Sequence, residues 1–399
     1  MYNEGMNFLE KFLSRNIETI NTAEGLAKKL GRGASLRLKL GIDITSADLH
    51  LGHAVVLWKM REMQEQGHKV VFLIGDFTSL VGDPTGQDKT RPEVSSADIE
   101  RDAKTYLEQV HKILLADPAV FEIRRNSEWW NKMSLSRFVK ILGQTTHGKL
   151  IARDMFQKRI ENGAEIYMHE LIYPVLQGYD SVELKSDVAF GATDQLFNEM
   201  LGRPYQVNAG QEPQVVITTP ALPGTDGVQK MSKSLGNYIA LNDTSKDMFG
   251  KVMSIPDSSI ITYFTLATAV PAEEIQLKAN DLRAEKVNPR DLKMELARAI
   301  IGRYYSSVEA EGAQAEFIKV FSKKEMPSDM PVWCGAKGES VVKIMVEGAG
   351  ISSNTEARRL ISQKAVEFNG QPIMDDKIKI SENGTLKIGK LKWVKIKIE

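Results

Sequence analysis

Two short stretches carry side chains whose types and spacing suit chemistry on a phosphate. HLGH at 50–53 sets His50 and His53 three positions apart, with Gly52 between them. On a helix, residues i and i+3 share a face, so both imidazoles would address one point on the first turn. A helix N-terminus offers free N–H groups and positive potential, which suits phosphate. Imidazoles there donate hydrogen bonds to a phosphorus centre as charge builds in its transition state. Gly52 lacks a side chain, which lets a flat base approach the backbone. KMSKS at 230–234, inside TDGVQKMSKSLGN, sets Lys230 and Lys233 on a glycine-flanked segment that reads as a loop. Two ammonium groups there can close over a pyrophosphate leaving group and raise the rate without over-binding the substrate. Each stretch alone has a plainer reading: a capping histidine beside a core histidine, and a solvated turn. The GxxxxGK[ST] and GxGxxG patterns are absent, and no third ligand lies near His50 and His53 in sequence, so no metal site is expected.

The elements that must hold these groups follow from periodicity. LRLKLGID at 36–43 alternates, with Leu36, Leu38 and Leu40 on one face, which predicts a strand. Lys39, Gly41 and Asp43 then point to the other side. In TSADLHLGHAVVLWKMREMQEQG, the spacing of Val56, Leu57, Met60 and Met63 is helical, and Gly67 is a stop. KVVFLIGD is an uninterrupted apolar run, as a buried parallel strand requires. Strand, helix, strand makes a βαβ unit with a right-handed crossover. PQVVITTP reads as a further strand ending before the lysine loop, and SVELKSDVAF as one entering GATDQ. Helices are predicted over 98–116, 135–161 and 166–179. Past residue 240 short polar helices dominate, MPSDMP at 326–331 reads as a linker, and Ser353 with Glu356 forms a capping box on a helix carrying Arg358 and Arg359.

Composition narrows the class. A chain of 399 residues suggests two or three domains. Lys+Arg and Asp+Glu both number 52, so a polyanionic partner must be met by a local basic patch. One such patch is TLKIGKLKWVKIKIE: from residue 338 onward 11 Lys+Arg face 8 Asp+Glu. Cys334 is the only cysteine, which excludes a disulfide framework and cysteine-rich zinc sites and suggests a reducing compartment. No run of 18 apolar residues exists, and the N-terminal stretch is too acidic and broken for a targeting peptide. A cytoplasmic protein without membrane association is the expectation.

HLGH and KMSKS, 180 positions apart, together resemble the His-Ile-Gly-His and Lys-Met-Ser-Lys-Ser signatures of class I aminoacyl-tRNA synthetases, with Leu51 for isoleucine. YPVLQGYD at 173–180 is similar to the tyrosine-binding helix of the tyrosyl-tRNA synthetases, and its spacing puts Tyr173, Gln177 and Asp180 on one face. GATDQ, GDPTG and NSEW, carrying Asp194, Gln195, Asp83 and Asn126, match further segments of that family. The resemblance implies that Asp83, Tyr173 and Gln177 hold the substrate's ammonium group, Gln195 its carboxylate and Asp194 the ribose. It places Asn126, Asp180 and Lys39 at the tyrosine, and Asp43 and Gly52 at ATP. Buried polar groups aimed at a phenol reject phenylalanine, which would leave them unpaired. Many members have a tyrosine where this chain has Lys39; a lysine there donates to the phenol or turns toward an acid. Gln87 stands where a basic residue is usual, while Arg91 keeps its place in a cationic clamp beside Lys230 and Lys233.

The C-terminal segment resembles the small RNA-binding fold shared with a ribosomal small-subunit protein and pseudouridine synthases. By that resemblance Arg358, Arg359, Lys387, Lys390 and Lys392 contact RNA, with Trp393 a stacking platform or core. The implied architecture is a Rossmann-like parallel-sheet nucleotide-binding domain over 1–225 with a helical insertion at about 90–165. An α-helical, anticodon-side domain with the KMSKS loop spans 226–330, and a small α+β RNA-binding domain 336–399. The implied activity is tyrosine–tRNA ligation. L-tyrosine and ATP, carrying Mg2+ as its substrate complex, give tyrosyl-adenylate and pyrophosphate, and tyrosine passes to the 3′ end of tRNA-Tyr. No permanently bound cofactor is implied, and the family works as a homodimer through the insertion. Tryptophan–tRNA ligase, a nucleotidylyltransferase and a non-enzymatic RNA binder are the alternatives.

Overall fold

Strands apolar on both faces are buried in parallel sheets. Here β1 (Thr19–Asn21), β2 (Arg37–Ile42), β3 (Lys69–Ile74), β4 (Phe121–Arg125), β5 (Val188–Ala192) and β6 (Val215–Thr219) form one sheet in the order β1-β6-β5-β2-β3-β4. All neighbours pair in parallel except β1, which runs antiparallel to β6 at the edge. The chain builds outward through β3 and β4 on one side of β2 and through β5 and β6 on the other. Strand order therefore reverses between β2 and β5, and the crevice beyond their carboxyl ends is where such sheets take ligands.

The computed structural model describes residues 2–44, 48–84, 96–322, 326, 330–389 and 392–399. They fall into two units, Met1–Ser306 and Ser307–Glu399. Arg91 and Lys390 lie outside the described residues, as does Gln87.

Sequence and structure differ at several elements. SVEL, read as the start of a strand, is instead the last turn of the helix Met168–Leu184. Lys185 ends that helix in the left-handed conformation, at φ 48°, and the strand begins only at Val188. The predicted helix over 135–161 is three, Leu135–Leu142, His147–Ile151 and Asp154–Glu161. The breaks have local causes: Ser134 and Thr146 are N-caps whose side chains accept backbone N–H bonds from Arg137 and Lys149. The charged edge strand β4, FEIRR, has no apolar run to announce it.

Two helices roof the sheet over β2. Met168–Leu184 and Leu196–Asn208 approach so closely that a Cβ on Gly178 would come within 2.9 Å of Leu201, and one on Gly202 within 2.7 Å of Ser181. The glycines set the spacing, and Val175, Leu176, Tyr179, Leu201 and Tyr205 fill the core beside them. Four further helices of this unit lie between Ser245 and Ile301. The guanidinium of Arg15 donates to the carbonyls of Phe264, Thr265 and Thr268, satisfying the end of the helix Ile260–Ala267.

In the second unit β7 (Val332–Gly335), β9 (Val366–Phe368), β10 (Gln371–Pro372), β12 (Gly384–Ile388) and β13 (Lys392–Ile398) form a sheet in the order β10-β9-β12-β13-β7. A short pair joins β8 (Glu339–Ser340) to β11 (Lys379–Ile380). The alternating lysine stretch is the β12–β13 hairpin, whose Leu386, Val394 and Ile396 face a core with Val341, Ile344 and Ile361. Ser353 caps the helix Asn354–Ser362 by accepting from the Glu356 N–H, but the Glu356 carboxylate pairs with Arg359, so half of the expected box forms.

Candidate active site

The two signature stretches are held together by backbone rungs. Leu51 N–H donates to the Ile239 carbonyl at 3.0 Å, Leu241 N–H to the Leu49 carbonyl at 2.9 Å, and His50 bridges Ala240. The residues just past the lysine loop thus lie antiparallel to the chain entering the helix Leu51–Gln64.

His50 is the N-cap of that helix, with extended backbone, and its N–H donates to Nδ1 of His53 at 3.3 Å. The two rings lie 3.9 Å apart. A Cβ on Gly52 would sit 3.0 Å from the His50 ring, so the space this glycine opens is filled by His50, not left for a base. Burial, reinforced by Lys233 and Lys230, pulls the His50 pKa down to about 3, and burial with His50 holds His53 well below its usual range. Both imidazoles are neutral near pH 7, so the positive charge comes from the lysines.

The lysine loop begins as a tight hairpin, with the Met231 N–H on the Leu222 carbonyl and the Gly224 N–H on the Gln229 carbonyl. Lys230 is exposed and meets the Asp194 carboxylate, just beyond β5, at 2.8 Å. The Lys233 ammonium lies 3.0 Å from the hydroxyl of Tyr106, and burial lowers its pKa to about 8 against the pull of Asp48 and Asp102. Tyr106 belongs to the helix Ser96–Val110, and one turn on Gln109 accepts the Leu49 N–H at 2.7 Å. That helix meets the lysine loop and the residue just before HLGH.

Below them runs a buried polar network. Tyr173 donates its hydroxyl to Asp43 at 2.9 Å, and Asp43 accepts from Thr78 at 2.7 Å. Burial and the nearby carboxylates of Asp43 and Asp83 keep the Tyr173 phenol protonated, with its pKa raised. Asn126 donates to Thr78 at 2.9 Å and to Asp180 at 3.3 Å. Asp180 also accepts the indole N–H groups of Trp129 and Trp130, each at 2.9 Å. Burial raises the Asp180 carboxyl to about 6, with Lys39 and these donors opposing. A second chain links Gln177, Glu199, Asn198, Gln195 and Asp83.

Lys39 stands at the root of this second chain. It is 0% exposed, and its ammonium donates to Glu199 at 2.9 Å, Ser181 at 3.0 Å and the Gln177 carbonyl at 3.1 Å. Its three protons are all used, so of the two courses open to it, the lysine has turned to an acid. Removing one partner of such a buried pair costs about 3–5 kcal/mol.

The remaining predicted residues fall where the elements carry them. Asp43 follows β2 and sits among Thr78 and Tyr173 on the polar network, away from the signature histidines' hydrogen bonds. In the second unit Arg358 pairs with Asp376, Lys387 lies near Glu367 and over the Trp393 ring, and Lys392 donates to the carbonyls of Ala349 and Gly350. Sequence reasoning missed Thr78, Tyr106, Gln109, Asn198 and Glu199. The last two had a signal: they lie three and four residues after Gln195, on the same face of one helix.

The family model for class I tRNA synthetases (W and Y) matches residues 32–322. The tyrosine–tRNA ligase of Thermotoga maritima is 45% identical over 388 residues, covering 97% of this chain and 96% of that one. That of Idiomarina loihiensis is 45% identical over 392 residues, covering 97% of each. The solved tyrosyl-tRNA synthetase of Archaeoglobus fulgidus, at 21% identity, superposes with a TM-score of 0.60 over 79% of this chain and all of its own. A C-terminally truncated mitochondrial tyrosyl-tRNA synthetase of Aspergillus nidulans gives 0.63 at 21% identity over 79% of this chain and 94% of its own, which shows a shared fold. With its signatures clasped at the switch point of a parallel sheet and a family match across most of its length, the chain belongs to the class I tRNA synthetases of the tryptophan and tyrosine group.

Proposed function

We infer that this protein is a tyrosine–tRNA ligase: it joins L-tyrosine to ATP as tyrosyl-adenylate, releases pyrophosphate, and passes tyrosine to the 3′ end of tRNA-Tyr. The observation that carries this is the ladder between residues 49–51 and 239–241, which brings His50 and His53 together with Lys230 and Lys233 at one crevice. The curated relatives at 45% identity over nearly the whole chain are tyrosine–tRNA ligases, which favours tyrosine over tryptophan.

Catalysis in this reading is positioning and electrostatic stabilisation of an in-line displacement at the α-phosphate, without a covalent enzyme intermediate. The neutral imidazoles donate to the α-phosphate. Lys230 and Lys233 move onto the departing pyrophosphate, Lys230 from Asp194 and Lys233 from Tyr106. Arg91 adds a third cation, and Gly52 and Asp43 lie on the nucleotide side. Mg2+ travels with ATP as part of the substrate. Asp194 turns to the ribose once Lys230 leaves it. Asp83, Tyr173 and Gln177 take the substrate ammonium, Gln195 its carboxylate, and Asp180, backed by Asn126, the phenol. Arg358, Arg359, Lys387, Lys390 and Lys392 meet the tRNA backbone. The exposed Leu135 and Val139 on the inserted helix Leu135–Leu142 suit a homodimer contact, and the cytoplasm is the compartment.

Amino-acid-dependent ATP–pyrophosphate exchange with tyrosine, phenylalanine and tryptophan tests the reading. Exchange with tyrosine alone is expected. Exchange with tryptophan would move the chain to the other substrate of its family, and no exchange from folded protein would overturn ligase activity.

A further inference from the structure

We propose that Lys39 is a positioning residue for the amino-acid pocket: its ammonium meets no substrate atom and anchors Glu199, which sets the direction of a chain of amides ending at Asp83. This rests on the ligase reading, in which Gln177, Gln195 and Asp83 meet the amino and carboxylate groups of tyrosine.

The direction follows from donors and acceptors. A carboxylate only accepts. Oε2 of Glu199 takes the Lys39 ammonium at 2.9 Å, and Oε1 takes the Gln177 amide nitrogen at 2.9 Å. Gln177 must therefore turn its amide oxygen the other way, where it accepts from the Asn198 nitrogen at 2.9 Å. That nitrogen spends its second proton on the oxygen of Gln195 at 3.2 Å. Gln195 is left with its nitrogen facing Asp83, at 2.9 Å. Every amide along this path has one permitted orientation because both ends are carboxylates. Asn198 carries the cost: its own Oδ1 is buried with no hydrogen-bond partner among the described residues.

Lys39 also pins the roof. Its other two protons go to the Gln177 carbonyl and the Ser181 hydroxyl, one turn apart on the helix Met168–Leu184. Glu199 belongs to the second roofing helix, Leu196–Asn208. One ammonium rising from β2 therefore ties both helices to the strand, across the gap that Gly178 and Gly202 keep narrow.

The test uses full-length protein, tyrosine-dependent exchange, and L-phenylalanine as a competitive inhibitor. Lys39→Met is expected to raise KM for tyrosine by about tenfold or more, as loss of an orienting partner does, with KM for ATP unchanged. The inhibition constant of phenylalanine should rise by the same factor, because the amide chain serves the end that both amino acids share. A lysine that donated to the phenol would instead cost tyrosine alone, and an unchanged phenylalanine constant overturns the proposal. The double variant Lys39→Met with Glu199→Gln removes both charges, so it leaves no unpaired buried ion and serves if the single variant does not fold. Its melting temperature should return toward wild type while KM for tyrosine stays high, since the introduced amide can donate or accept and no longer holds Gln177 from its side, leaving Asp83 alone to orient the chain. Recovery of both would reduce Lys39 to packing. Wild-type protein without tyrosine-dependent exchange would remove the ligase reading and this proposal with it; normal exchange by Lys39→Met would remove this proposal alone.

Discussion

The hydroxyl of Tyr106 lies 3.0 Å from the ammonium of Lys233, and the tyrosine ring faces the same ammonium at 5.2 Å. A buried lysine with its pKa near 8 loses charge as pH rises through that value. Exchange at ATP well below its KM, which reports the free enzyme, should therefore decline above about pH 8. Lys233→Arg, which stays charged throughout, should flatten this alkaline limb at a lower plateau. Tyr106→Phe keeps the ring and deletes the hydroxyl; by weakening a resting contact it should raise kcat with little change in KM for ATP.

His50 offers a separation of capping from chemistry. Asparagine caps helices well, so His50→Asn should shift stability by no more than about 1 kcal/mol at neutral pH. Exchange should fall by roughly 10²–10³, the cost of one transition-state donor. The acid side of the stability profile should change too. The folded imidazole resists protonation until about pH 3, whereas the unfolded one protonates near 6.5, so wild-type stability drops as pH falls between them. The variant should lose less over that span in denaturant titrations.

Asp180 works in the opposite sense. Its carboxyl is raised to about 6 from an ordinary 3.8, so the folded state holds this proton more tightly than the unfolded one. The resulting stabilisation is complete below about pH 4 and is lost as pH rises through about 6, on the order of 3 kcal/mol in all. Asp180→Asn does not titrate, and the difference in stability between variant and wild type should shift by that order between pH 4 and 7, in the variant's favour at the upper end. The same variant should bind tyrosine more weakly.

Lys230 and Asp194 form an exposed pair, and such pairs contribute about 0–1 kcal/mol. Lys230→Ala should leave the melting temperature almost unmoved while exchange falls by about 10²-fold. Asp194→Asn should raise KM for ATP more than it lowers kcat.

The second unit can be probed apart from adenylate formation. Arg358→Ala with Arg359→Ala removes two exposed cations, each already near an acid, Asp376 and Glu356. Pyrophosphate exchange should be unchanged. Aminoacylation should show a raised KM for tRNA, with a shallower dependence on salt as phosphate contacts are lost.

The central strands and both signatures were legible because their cause is local: alternation in LRLKLGID, an apolar run in KVVFLI, and motifs of fixed spacing. The edge strands β1 and β4 were not, since they pair through backbone with neighbours far along the chain and bury little. The extra helical turn over SVEL was hidden by β-branched and alternating residues that tertiary packing overrode. At the site, Tyr173, Gln177 and Asp180 could be placed on one face by counting. The partners that fix them could not. Glu199 lies 160 positions from Lys39, and Tyr106 lies 127 from Lys233; only the folded sheet brings either pair together.

The rungs joining residues 49–51 to 239–241 carry a consequence for how such a chain can change over time. They fix the meeting of the two signatures by direct pairing, so the number of residues in the loops between the site-bearing elements does not set it. Insertions and deletions on the far side of the inserted helices would leave the clasp untouched, while a single residue added between Lys233 and Ile239 would shift Lys230 and Lys233 together. Drift in length should therefore be tolerated in the loops that join the site-bearing elements and forbidden within those elements and in the few residues nearest the clasp.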